Sequence, residues 1–103
     1  MNIDEYRAMN ILDRIAVTKH ARIRLEERGI HMDDIIVAIG NGEIIKEYAE
    51  DKPLPSCLIL GISAEGKPLH LVISKDEEFI YLITAYFPTS KQWEDDFKTR
   101  KEC

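Results

Sequence analysis

At Asn41-Gly42 the pattern of apolar side chains changes from helical to strand-like, and it stays strand-like, broken by turns, as far as Phe87. A two-residue period buries one face only when the segment is a strand in a sheet. Four strands are expected: Ile44–Tyr48, Cys57–Ser63, Leu69–Lys75 and Phe79–Phe87. Ala64-Glu65-Gly66-Lys67 and Asp76-Glu77-Glu78 read as hairpin connections, and Pro53 and Pro55 stiffen the loop between the first two strands.

Ahead of the change the period is helical. Ile3, Tyr6, Met9, Ile11, Leu12 and Ile15 predict a helical extension over residues 1–16. Thr18 is a capping residue for a second helix, which Gly29 ends. His31 occupies the cap of a third, with Asp33 and Asp34 in its first turn, where the helix dipole favours acids. After Pro88, Thr89 or Ser90 caps a last helix carrying Trp93 and Phe97 on one face. The expected fold is therefore α+β: N-terminal helices, a four-stranded antiparallel meander sheet and a C-terminal helix.

At 103 residues this is one domain, with a core that hides roughly two-thirds of the unfolded surface. Apolar residues make up 45% and charged residues 32%, which excludes a disordered chain. Cys57 and Cys103 are the only cysteines, too few for a disulfide framework or a four-thiolate zinc site. No apolar run is long enough for a membrane span, and Asp4, Glu5 and Arg7 do not fit a signal peptide. A cytoplasmic protein is expected.

The net charge of −5 weighs against a general grip on nucleic-acid backbones. The charge is nevertheless uneven. Between residues 17 and 31, Lys19, Arg22, Arg24 and Arg28 outweigh Glu26 and Glu27, and His20, Arg24 and Arg28 form one stripe at i, i+4, i+8 on the second helix. The stripe can point cationic heads at an anion, or Arg24 and Arg28 can pair with neighbouring acids as surface charges do. Closing the hairpins at their turns sets Gly61 opposite His70 and His70 opposite Thr84, with Tyr86 one step along. This face is mixed, and its Ile59, Val72, Leu82 and Tyr86 would suit a partner or a second copy. The other face, with Leu58, Leu60, Ile62, Tyr81 and Ile83 among others, is uniformly apolar and is expected to form the core. A half-buried histidine among ordinary strand formers is the alternative to a site. The three histidines are not spaced as a metal site, and no cofactor fingerprint is present.

Several strings resemble a known family: Thr18-Lys19-His20-Ala21 with Arg24, Glu27-Arg28-Gly29-Ile30, Pro55-Ser56-Cys57-Leu58, Pro68-Leu69-His70, and Thr84-Ala85-Tyr86-Phe87-Pro88 with Trp93, Glu94 and Phe97. They resemble a small bacterial and archaeal family of unknown function, over about residues 17–100. Its members are often encoded beside a small protein with a zinc-finger segment, like the antitoxin of MqsR-type pairs, and its layout is similar to that of RelE, BrnT and MqsR-type toxins, compact α+β endoribonucleases. The resemblance implies a toxin-like endoribonuclease acting on RNA without a cofactor. A base takes the 2′-hydroxyl proton, the oxygen attacks the adjacent phosphate, and an acid protonates the leaving 5′-oxygen. In these terms His70 and His20 are the candidate base and acid, Arg24 and Arg28 the phosphate clamp, and Tyr86 a positioning or stacking group. Gly61, Thr84 and Arg100 are further candidate substrate contacts. The competing expectation is a non-catalytic module that uses the mixed sheet face for a partner or homodimer.

Overall fold

The computed structural model describes residues 2–101; Cys103 lies outside the described residues. In chain order the elements are α1 (Ile3–Ala8), a 3-10 turn (Leu12–Arg14), β1 (Ile15–Val17), α2 (Lys19–Arg28), α3 (Met32–Asn41), β2 (Glu43–Tyr48), β3 (Ser56–Ile62), β4 (Pro68–Lys75) and β5 (Ile80–Tyr86). No helix among the described residues is long and apolar enough to cross a membrane.

The helix boundaries follow from local chemistry. Thr18 Oγ1 accepts from the Ala21 N–H at 3.1 Å, and Gly29 closes α2 with φ of 67°, in the left-handed region that favours glycine. Asp34 is buried yet fully engaged. Its Oδ2 accepts from the His31 N–H at 2.9 Å and its Oδ1 from the Ala64 N–H at 3.1 Å. One carboxylate thus fixes the start of α3 and ties it to the β3–β4 hairpin. Asp34→Ala strands two donors, and a urea titration is expected to show a loss of about 1–3 kcal/mol.

Strands β2 to β5 form the expected antiparallel meander, but the sheet is five-stranded and mixed, in the order β1-β5-β4-β3-β2. Ile15–Val17, expected at the end of a helical extension, runs parallel to β5 instead, with Ile15 opposite Ile80 and Val17 opposite Leu82. The partner of this segment lies some sixty-five residues along the chain, so no local period could disclose it.

The expected C-terminal helix is also absent. Residues 89–101 form turns, with Trp93 and Arg100 paired across a small loop. The Asp96 carboxylate accepts from the backbone N–H groups of Lys98 and Thr99 at 2.9 and 3.0 Å, a local turn that competes with helix. Trp93 is buried beneath this strap, against the sheet.

Helices α2 and α3 cover one sheet face, α2 across β5 and α3 across β3. Leu25, Ile35 and Ile39 meet Ile59, Leu71, Ile73 and Ala85 there in one core. The register corrects the expected faces. His70 lies opposite Leu60 and Tyr86, Gly61 opposite Leu69, and Thr84 opposite Val72, so the row Gly61–His70–Thr84 does not exist. On β3 it is Cys57, Ile59 and Gly61 that face the helices, because α3 presses on Gly61: a Cβ there would lie 2.3 Å from the Ala38 carbonyl oxygen. On β5 a bulge sets Val72 opposite Thr84 but Ile73 opposite Leu82. It turns Ile83 outward and Leu82 into the core. Of the four apolar residues expected on the open face, Ile59 and Leu82 are buried on the helix side, and Val72 and Tyr86 remain.

Candidate functional site

The open sheet face is occupied at one end by the strap, and His70 lies beneath it with no exposed surface. The imidazole expected to be open to water is thus sealed. Its Nε2 is 2.7 Å from the Phe97 carbonyl oxygen, which can only accept, so Nε2 carries the proton. Its Nδ1 is 3.1 Å from the Tyr86 hydroxyl. The Trp93 ring meets the imidazole edge-on at 4.5 Å and the Tyr86 ring at 5.2 Å. Burial pushes the His70 pKa below the ordinary imidazole value, and the Phe97 carbonyl offsets part of that. Burial likewise raises the Tyr86 phenol, with the nearby Tyr48 adding to the effect and Arg100 and Arg28 opposing it. Both rings are therefore neutral near pH 7.

Beside this pair is a cavity of about 230 Å³. Lys46 and Tyr48 from β2, Tyr86 from β5, and Trp93, Lys98 and Arg100 from the strap line it. The Lys46 ammonium sits 5.6 Å from the Tyr48 ring centre and the Arg100 guanidinium 6.0 Å from that of Trp93, both at cation–π range. Neither cation is ion-paired among the described residues. Lys98 is paired, 2.5 Å from Glu43, whose hydrogen bond raises the lysine's pKa. Among the described residues no carboxylate lines the cavity. An anion here would meet two available cations, each held beside an aromatic ring.

The other expected residues are more scattered. Arg28 reaches the sheet, but as a structural cap: Nη1 donates to the Ala85 carbonyl at 2.8 Å and lies 3.4 Å from Thr84 Oγ1. Strand β1 pairs with β5 only as far as Leu82, so beyond that point the β5 edge has no strand partner, and Arg28 satisfies it. Arg24 is exposed and pairs with Glu27 at 3.5 Å, as ordinary surface charges do. His20 is exposed on α2. Gly61 lies on the helix side of the sheet and serves packing. Of the expected set, the structure brings together His70, Tyr86 and Arg100, with Arg28 and Thr84 nearby.

Lys46, Tyr48, Trp93 and Lys98 were not expected in a site. Lys46 and Tyr48 do carry a signal, since an i, i+2 pair on a strand shares one face. Lys98 and Trp93 carry none, because the strap that places them is not a regular element. Among the described residues no three histidine, cysteine or acidic side chains cluster closely enough to hold a metal ion.

No curated protein and no solved structure matches this chain. One family model does, over residues 17–87, from the last residue of β1 to just past β5. That span is shorter than the resemblance in the strings, and it leaves the strap, with Trp93, Lys98 and Arg100, outside the matched segment. By this match over more than half of its length, the chain belongs to the family described as Domain of unknown function (DUF4258).

Proposed function

We propose that this protein is a binding module whose ligand is a phosphorylated, ring-bearing molecule of nucleotide size, free or at the end of a single strand, seated between β2 and the strap. One observation carries this reading: on a chain of net charge −5, two cations and three aromatic rings gather around one cavity, and among the described residues no carboxylate pairs with these cations or lines the cavity. Cations on a fixed aromatic frame suit a phosphate, and the ring faces suit a base.

The chain's single tryptophan, Trp93, lines the cavity, so its fluorescence reports occupancy. Titration with 5′-mononucleotides and short single-stranded RNA is expected to quench it, and added salt is expected to weaken binding. Arg100→Ala removes a charge-assisted contact and is expected to weaken binding about tenfold or more. Lys19→Ala, which removes the same charge from α2, leaves binding unchanged. Equal losses in both variants would make the effect one of net charge and remove the cavity from the account.

A second reading, metal-independent cleavage of RNA in a toxin–antitoxin pair, is favoured by the Tyr86–His70 hydrogen bond, a path for a proton from a 2′-hydroxyl through the phenol to the imidazole. It ranks below binding because burial opposes a charged His70. RNA cleavage in the presence of chelator that disappears with Tyr86→Phe would raise it. Cleavage or growth arrest that survives the loss of both His70 and Arg24 would remove it.

A further inference from the structure

The buried histidine decides what the cavity's tyrosine can offer a ligand. The Phe97 carbonyl fixes the His70 proton on Nε2. The ring is neutral, because it has no exposed surface and its neighbours are Tyr86, Trp93 and the Phe97 backbone, none of them a carboxylate. A neutral ring protonated at Nε2 has a bare Nδ1, so the Tyr86 hydroxyl must donate to it. That commits the only phenolic proton inward. Among the described residues no other group donates to the Tyr86 oxygen. What Tyr86 still offers is a lone pair, and it lines the cavity that holds Lys46 and Arg100.

We infer that the cavity selects ribonucleotides over deoxyribonucleotides, with the Tyr86 oxygen accepting a hydrogen bond from the ribose 2′-hydroxyl while Lys46 and Arg100 hold the phosphate. The inference rests on the nucleotide-binding reading above and adds the sugar to it. Three requirements meet in one ligand class: an anion for the cations, a flat ring beside the half-buried Tyr48, and a hydroxyl donor for an oxygen that cannot itself donate. His70 is a positioning residue here, since it sets the direction of the phenolic proton without lining the cavity.

The test compares uridine 5′-monophosphate, its 2′-deoxy form and its 2′-O-methyl form on the full chain, read by Trp93 fluorescence and calorimetry. The 2′-O-methyl compound keeps an oxygen at the position but has no proton to give. The ribonucleotide is expected to bind roughly three- to tenfold more tightly than either analogue, the span of one neutral hydrogen bond. Tyr86→Phe is expected to bring the ratio of ribonucleotide to deoxyribonucleotide affinity down to about one. The comparison on the wild-type chain stands even where that variant is too unstable to assay. Equal binding of all three overturns the inference and leaves the phosphate site standing, as does a preference that persists in Tyr86→Phe. Failure of every nucleotide and of inorganic phosphate to bind overturns the site and the inference together.

Discussion

Gly61→Ala is expected to unfold the protein or leave it barely folded. The added Cβ would lie 2.3 Å from the Ala38 carbonyl oxygen and 2.8 Å from its carbonyl carbon and Cα, all backbone atoms of α3. A flexible side chain could swing aside; a helix backbone cannot, short of lifting off the sheet. That movement would open the contact between Ile35, Ile39 and the β3 core. Overpacking typically costs about 1–3 kcal/mol, and a contact this close against rigid backbone belongs at or above the upper end. A domain of this size has a total stability of only about 5–15 kcal/mol, so a loss of this size removes a large share of it. Circular dichroism during urea denaturation measures the loss. Gly42→Ala is expected to behave alike, its Cβ being 2.5 Å from the same carbonyl oxygen. A Gly61→Ala protein that melted within a few degrees of the parent would mean that α3 does not seat on β3 at this point.

His70→Ala is the second large effect, expected at about 3–5 kcal/mol, the range for emptying a fully buried aromatic position. The change also leaves the Tyr86 hydroxyl and the Phe97 carbonyl without their partner and takes away the surface on which Trp93 rests. The strap is expected to loosen first, with Trp93 emission shifting to the red. The same histidine gives the stability a pH dependence of definite sign. In the unfolded chain its pKa returns to the ordinary value of 6.5; in the folded protein burial holds it lower. Between those two values the unfolded chain binds more protons, so acid favours unfolding. This contribution is fully present above about pH 6.5 and is lost as the pH falls toward the folded-state value. Urea midpoints from pH 8 down to pH 5 are expected to decline below about 6.5 in the parent and to stay flatter in His70→Ala, provided the variant folds; His70→Gln serves otherwise. A midpoint that rose on acidification would show a charged, ion-paired imidazole and contradict the neutral tautomer.

Much of the scaffold is legible in the residues alone. Thr18, Gly29 and the His31–Asp34 pair bound α2 and α3 through bonds that span three or four residues, and the alternation after Gly42 marks the strands of the meander. The surface pairing of Arg24 with Glu27 was one of two open alternatives, and neighbours at i, i+3 make it a local matter as well. These features share a cause: the interactions that fix them are short in sequence, so the pattern that encodes them is local.

The site was set at longer range. Strand β3 is apolar on both faces, so alternation gives no contrast between its two registers; the backbone of α3 selects one by requiring glycine at position 61. The bulge on β5 shifts its faces part-way along, which sends Ile83 outward and keeps Leu82 inward. The ends of the chain follow contacts rather than propensity: Ile15–Val17 becomes a strand by pairing with β5, and residues 89–101 forgo a helix to cover His70 with Trp93. Periodicity and capping therefore determined the helices, the meander and the residue types available for chemistry. Tertiary packing alone decided which side chains meet, because burying an imidazole with both nitrogens satisfied takes a carbonyl, a phenol and an indole from distant segments at once.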